Sequence, residues 1–246
     1  MKLLLLGTGG YHPCERRHTA CLMLPTAGLV LDAGSGFFRV REHLATPTLD
    51  ILLTHAHLDH VVGLTFLLST TWQRPLERVT IHGTAAKLQA VREHLLADDL
   101  FPAPLKCEWR PLDDEPLLIG GARITHFPLE HPGGSVGYRC DWPDRSLAYV
   151  TDTTASSDAA YVEQVRNVDV LVHECNFGDE QAAWARETGH SYASAVADVA
   201  TRAAVRRLVL VHFDSLADTA DPVNIARVRE KFSRAENGAD NLQIDF

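Results

Sequence analysis

THAHLDH, residues 54–60, places His55, His57, Asp59 and His60 directly after the apolar run LDILL (49–53). Along an extended strand end, side chains repeat every two residues, so His55 and His57 point the same way and can grip one ion together. Asp59 and His60 follow where the chain turns towards a helix, and can face a second ion. Imidazole combined with carboxylate suits zinc, with manganese or iron as other fits. A lone HxH would be explained equally well by a solvated, histidine-rich loop. HxHxDH between an apolar strand and a helix is far more specific.

One loop cannot complete the coordination of two ions, so later segments must return with further donors. The candidates stand at strand ends: His131 in LEHPGGSVGYR (129–139), Asp152 in YVTDTT (149–154) and His212 in LVLVHFD (208–214). His126, in ITHFP, competes with His131 for the place of third histidine. The flexible Gly133–Gly134 pair and the strand that follows favour His131. Taken singly, Asp152 would pass for a turn residue and His212 for a satisfied strand-end histidine. Their order after the first cluster strengthens all three.

The chain has 246 residues, 46% of them apolar, and a net charge of −9. That is enough for a substantial core, in one large domain or two small ones. The acidic balance argues against a broad nucleic-acid surface, which needs Lys and Arg to neutralise phosphates. It leaves room for a small anionic substrate. LLLL (3–6) is too short for a membrane span or an export signal, so a soluble, cytoplasmic protein is expected, and a homodimer is left open. The cysteines Cys14, Cys21, Cys107, Cys140 and Cys175 are odd in number and include no CxxC, which speaks against a disulfide framework. His12, Cys14, His18 and Cys21 could make an extra site; ordinary loop residues are the simpler reading.

Short runs rich in Val, Leu and Ile read as strands at 2–6, 28–32, 49–53, 78–83, 122–127, 135–139, 146–150, 169–173 and 207–211. Many end on a polar residue: Asp32, His55, Asp152, His173, His212. Helical patterns lie at 59–70, 84–97, 158–166, 191–204 (with Ser191 as N-cap) and 221–235 (with Pro222 near its first turn). Interleaved strands and helices give an α/β layered fold.

The series THAHLDH, EHPGGSVGYR, TDT and HF resembles the metallo-β-lactamase superfamily. It is most similar to the phosphodiesterase branch that includes ribonuclease Z and small cyclic phosphodiesterases. GTGG (7–10), ERRHTACLML (15–24), LVLDAGSG (29–36), HEC (173–175) and GHSYASAVADVATRAAVRRLVLVHF (189–213) extend the likeness over nearly the whole chain. The resemblance implies a four-layer αββα sandwich with 1–246 as a single domain, and a hydrolase with two divalent metal ions. His55, His57 and His131 would hold the first ion and Asp59, His60 and His212 the second, with Asp152 bridging. Two details depart from the pattern. Thr151 stands where the branch usually has Gly, and DSLAD follows HF in place of the serine–arginine–tyrosine pattern of the tRNA enzymes.

Three residues are expected to do chemistry. Asp59 would orient the attacking water as well as bind metal. His190 would protonate or stabilise the leaving oxygen, aided by the amides that open helix 191–204, and Glu174 would hold His190 in place. The bland alternatives are a capping-region histidine and a buried acid satisfied by backbone. His173 reads as structural. Arg16, Arg17 and His18 could add positive charge near the site, or be solvated loop residues. The expected reaction is hydrolysis of small or cyclic phosphodiesters. A tRNA 3′-processing endonuclease is the alternative, but those enzymes carry a long arm, and here a hairpin already fills the span from His131 to Asp152. Thioester or lactone hydrolysis is a further reading, and a metal-containing binding module or sensor is the non-enzyme one.

Overall fold

The computed structural model describes residues 1–72, 74–217 and 219–246. Among these residues, the strands run in chain order through two sheets. The first sheet takes β1 (Lys2–Gly7), β2 (Cys21–Leu24), β3 (Leu29–Leu31), β4 (Thr48–Leu52), β5 (Arg78–Gly83) and β6 (Glu108–Pro111). The second takes β7 (Leu117–Ile119), β8 (Ala122–Leu129), β9 (Ser135–Trp142), β10 (Arg145–Val150), β11 (Val170–Glu174), β12 (Arg207–Val211) and β13 (Ala235–Asn237). β14 (Leu242–Asp245) then returns to pair with β1, giving the orders β14-β1-β2-β3-β4-β5-β6 and β13-β12-β11-β10-β9-β8-β7. Pairing is antiparallel from β14 to β3 and from β7 to β10, and parallel beyond.

Alternation along β1 builds the layers. Leu3 and Leu5 join Leu22, Tyr138, Tyr149 and Val209 in a core between the sheets. Leu4 and Leu6 face the other way, against Phe37, Val61, Leu64 and Leu88. The far face of the second sheet packs Val150, Leu171 and Leu210 against Val196 and Val199 of the helix Ala193–Arg202. The result is the expected αββα sandwich. No helix among the described residues is long and apolar enough to cross a membrane.

Two tyrosines bind the sheets together. A buried hydroxyl is costly unless it finds a partner. Tyr138 donates to the Leu53 carbonyl at 2.6 Å and Tyr149 to Asp32 Oδ2 at 3.0 Å, both just past strand ends of the first sheet.

Several boundaries depart from the pattern reading. The stretch 59–70 breaks into Leu58–Val61, a 3₁₀ turn Val62–Phe66 and Leu67–Thr71. The final helix is only Ile225–Lys231. Pro222 precedes it, and Asp221 caps it by accepting from the Ile225 amide at 2.9 Å. Ser191 is not an N-cap: the helix begins at Ala193, while Ser191 Oγ donates to the Thr153 carbonyl at 2.6 Å and accepts from the Ala155 amide. β6, β7, β13 and β14 and the helix Ala182–Thr188 carry too short or too polar a pattern to be read in advance.

Candidate metal centre

The carboxyl ends of the central strands converge on one edge of the sandwich. Asp32 follows β3, His55 follows β4, Asp152 follows β10, Glu174 ends β11 and His212 follows β12. Open α/β sheets place ligands outside such strand ends. Asp32, Asp152 and His212 all have left-handed backbones, with φ of 59°, 53° and 59°. Side chains rarely adopt this region, and where they do the surrounding structure must hold them. Part of that hold is Gly10, whose amide donates to the Phe213 carbonyl at 2.9 Å. A Cβ there would lie 2.5 Å from His212 Cε1, so the loop can lie against the imidazole only as glycine.

The seven expected ligands come together. His55, His57, His131 and Asp152 form one group of donor atoms, and Asp59, His60 and His212 another. Asp152 offers one oxygen to each side. Its Oδ1 lies 3.7 Å from His55 Nε2 and 3.5 Å from His131 Nε2, and its Oδ2 lies 3.0 Å from His60 Nε2 and 3.4 Å from His212 Nε2. Asp59 Oδ2 approaches His212 Nε2 at 3.2 Å and accepts from the Tyr11 amide at 2.8 Å. His126, the competitor of His131, stays in the middle of β8, outside both groups.

Outer hydrogen bonds turn the rings so that Nε2 faces inward. His60 Nδ1 donates to Asp32 Oδ2 at 2.8 Å, and His131 Nδ1 to the Gly189 carbonyl at 3.0 Å. His55 Nδ1 lies 3.1 Å from Thr54 Oγ1, which itself donates to Asp32. Such contacts fix the tautomer and orientation of a metal-binding histidine. The test of fit is His55 Nε2: it is buried and has no hydrogen-bond partner. An orphaned buried imidazole nitrogen aimed at a carboxylate and two further imidazoles suits a cation. Five histidines and two aspartates form a nitrogen–oxygen donor set of the kind that takes divalent metal.

The charges agree. Burial disfavours ionisation of Asp152, yet His212, His60 and His55 hold its carboxyl well below the usual range. Burial likewise opposes charge on His60, but Asp152, Asp59 and Asp32 push its pKa well up. Negative charge is thus concentrated around one imidazole, where a metal ion would replace a proton.

His190 lies beside the cluster. Its ring sits 5.4 Å from that of His212 and 5.3 Å from that of His131, and Nδ1 is 3.2 Å from Glu174 Oε1. Donor atoms of Asp152, His190 and His212 also lie close enough to share an ion. Burial would lower the His190 pKa, but the Glu174 carboxylate lifts it to about 9. Glu174, fully buried, accepts from the Thr153 amide at 2.7 Å and the Ser191 amide at 3.0 Å. Gly189 sets this up: its φ of 77° ends the helix Ala182–Thr188, turns its carbonyl to His131 and sends the next residue to Glu174.

Other expectations are corrected. The opening amides of the helix Ala193–Arg202 are already used, Ala193 by the Phe177 carbonyl and Ser194 by Asp179 Oδ1 at 2.7 Å, so they offer His190 no anion site. Arg17 is buried over the Phe213 ring, and His18 contacts Ser35 at 3.1 Å; neither lines the cavity. Among the described residues His12, Cys14, His18 and Cys21 do not gather as ligands. His173 is buried between Tyr161 and the Glu174 carbonyl, as a structural role requires. The pattern reading missed Asn176, which donates to the His212 carbonyl at 2.9 Å, and Phe177 and Trp184, which wall the cavity. Asn176 directly follows the HEC motif; nothing local marks Trp184. The cavity over the cluster holds about 480 Å³.

Residues 29–213 match the family model for the β-lactamase superfamily domain. The chain is similar to ribonuclease Z of Kineococcus radiotolerans, at 30% identity, covering 86% of this chain and 83% of the relative. The matched region runs over 268 positions against a chain of 246, so the relative carries insertions that this chain lacks. In structure the chain resembles the metallo-β-lactamase fold protein YhfI from Bacillus subtilis, with a TM-score of 0.82, 19% identity and 99% coverage of both chains. It also resembles a diphosphatase of the PhnP family, with a TM-score of 0.76 and 21% identity, covering 100% of this chain and 96% of that one.

Proposed function

The chain belongs to the β-lactamase superfamily, as a metal-dependent hydrolase of its ribonuclease Z-like branch, and on that footing we propose that it hydrolyses small or cyclic phosphodiesters. His55, His57 and His131 would hold one divalent ion and Asp59, His60 and His212 a second, with Asp152 between them. Zinc is the proposed metal, as the donor set favours it. The ions would supply an activated water and neutralise charge on the phosphoryl group. Both sheets contribute ligands, which favours residues 1–246 working as one domain.

The observation that carries the phosphodiester reading is the His190–Glu174 pair on the wall of the same cavity. A phosphodiester stays negative throughout, and its departing alkoxide needs a proton. His190 is bonded to Glu174 through Nδ1, which leaves Nε2 to deliver that proton. Glu174 keeps the ring oriented and favours its protonated form. Asp59 would align the attacking water. Precursor tRNA fits less well. β9 and β10 meet in a tight hairpin across Pro143 and Asp144, so no arm leaves the span between His131 and Asp152.

The test is a substrate panel on one metal-defined preparation: cyclic nucleotides, cyclic sugar phosphates, precursor tRNA, thioesters and lactones. Turnover of small phosphodiesters with little tRNA cleavage is expected. Correct cleavage at a tRNA 3′ end, or turnover confined to thioesters or lactones, would overturn the reading.

A further inference from the structure

The cavity has a polar floor and an apolar rim. Tyr11 is 81% exposed, Trp184 52% and Leu216 80%, and all three line the same opening, with Phe177 deeper in. Isolated exposed apolar residues need no explanation, but a cluster at the mouth of a polar site marks a surface that a ligand covers. The three come from separate segments: the loop after β1, the helix Ala182–Thr188 and the turn after β12. Their convergence is a property of the fold and not of one hydrophobic stretch.

Charge narrows the ligand. Among the described residues no lysine or arginine lines this cavity, whereas Asp59, Asp152 and Asp214 do. Asp214 lies beyond the ligand cluster: its amide donates to the Asn176 carbonyl, and its Oδ1 accepts from the Leu216 amide at 3.0 Å. A second phosphate reaching the rim would meet that carboxylate with no lysine or arginine beside it to offset the charge. A flat, uncharged ring would instead cover Trp184 and Phe177 and could meet the amide of Gln181 at its edge.

Resting on the phosphodiesterase reading, we propose that the substrate carries one phosphodiester and one aromatic ring, the chemistry of a nucleoside cyclic monophosphate, and that Trp184 and Asp214 determine this specificity. The ring lies on Trp184, and Asp214 turns away substrates with an additional phosphate.

The experiment compares three probes on the metal-loaded enzyme: a nucleoside 2′,3′-cyclic monophosphate, the same compound bearing a further 5′-phosphate, and a ring-free cyclic phosphate of glycerol. Trp184→Ala should raise KM for the first on the order of tenfold with kcat little changed, since base–aromatic stacking is worth about that factor. It should leave KM for the ring-free probe unaltered. Asp214→Asn should improve kcat/KM for the doubly phosphorylated probe relative to the first. Binding is read separately, as quenching of tryptophan fluorescence that Trp184→Phe abolishes. If the ring-free probe is used as well as the nucleoside by the wild type, or Trp184→Ala affects both equally, the specificity proposal is wrong while the phosphodiesterase reading stands. If none of the probes is turned over but thioesters are, the underlying reading has failed.

Discussion

The Nδ1 of His60 donates to Oδ2 of Asp32 across 2.8 Å, and both side chains are wholly buried. Asp32 touches no candidate metal position itself. It also accepts from the Thr54 amide and hydroxyl and from Tyr149, so one carboxylate joins the first sheet, the second sheet and the histidine loop. Asp32→Asn should therefore weaken binding of the second ion about 10–100-fold, as loss of a carboxylate behind a metal-binding histidine does. Metal titration of the purified variant checks this. Unchanged affinity for both ions would show that His60 is oriented by packing alone.

Asp152 and His60 should differ in how many ions they retain. Asp152 faces both donor groups, while His60 belongs to one. Elemental analysis of the wild type should give about two ions per chain. Asp152→Ala should lose most of both, and His60→Ala should keep one. Equal losses in the two variants would contradict a bridging place for Asp152. Chelation should abolish hydrolysis, and added zinc or manganese should restore it.

His190→Ala should keep its metal and fold but lose about 10²–10⁴-fold in kcat on esters with poor alkoxide leaving groups. The loss should shrink for p-nitrophenyl esters, whose leaving group is stable without a proton. Glu174→Gln should give a smaller loss with the same leaving-group dependence, because the amide still bonds Nδ1 but no longer favours its charge. Near-full activity of His190→Ala on a poor leaving group would end the proton-donor role. Metal content measured on the same samples separates this from loss of an ion, since His190 also lies within reach of Asp152 and His212.

Gly10→Ala tests the loop from the other side. The added Cβ would press on the His212 ring, which is held at φ 59° and bonded through its carbonyl to Asn176. Overpacking of this kind typically costs about 1–3 kcal/mol. The variant should melt earlier and bind the second ion more weakly, while the first site is spared. A melting temperature and metal content equal to those of wild type would mean that the loop moves aside freely.

The sequence alone marked the candidate ligands, because each sits in a local signal: a cluster of imidazoles after an apolar strand, or one polar residue near the end of an apolar run. It marked β5 and β12 at their observed bounds, since RLVLV is apolar without a break after Arg207 and RVTIHG sets Val79 and Ile81 in alternation. Short strands such as β13 and β14 left no comparable trace, because two or three core-facing residues are too few to show a period. The αββα layering came from resemblance, and the alternation of Leu3 with Leu4 shows how the chain encodes it.

Tertiary structure decided what those residues face. Asp32 was visible as a strand end, but its bonds to His60 and Tyr149 join positions far apart in the chain. The opening amides of the helix Ala193–Arg202 looked available for an anion, yet Phe177 and Asp179, from a segment with no readable pattern, already use them. Tyr11, Trp184 and Leu216 are unremarkable singly and become a rim only where three strand exits meet. Local sequence determines which groups can bind a metal or move a proton, through their chemistry and their spacing along one element. Which groups share a hydrogen bond, a charge or a cavity depends on packing between distant elements, and that is settled only when the two sheets close on each other.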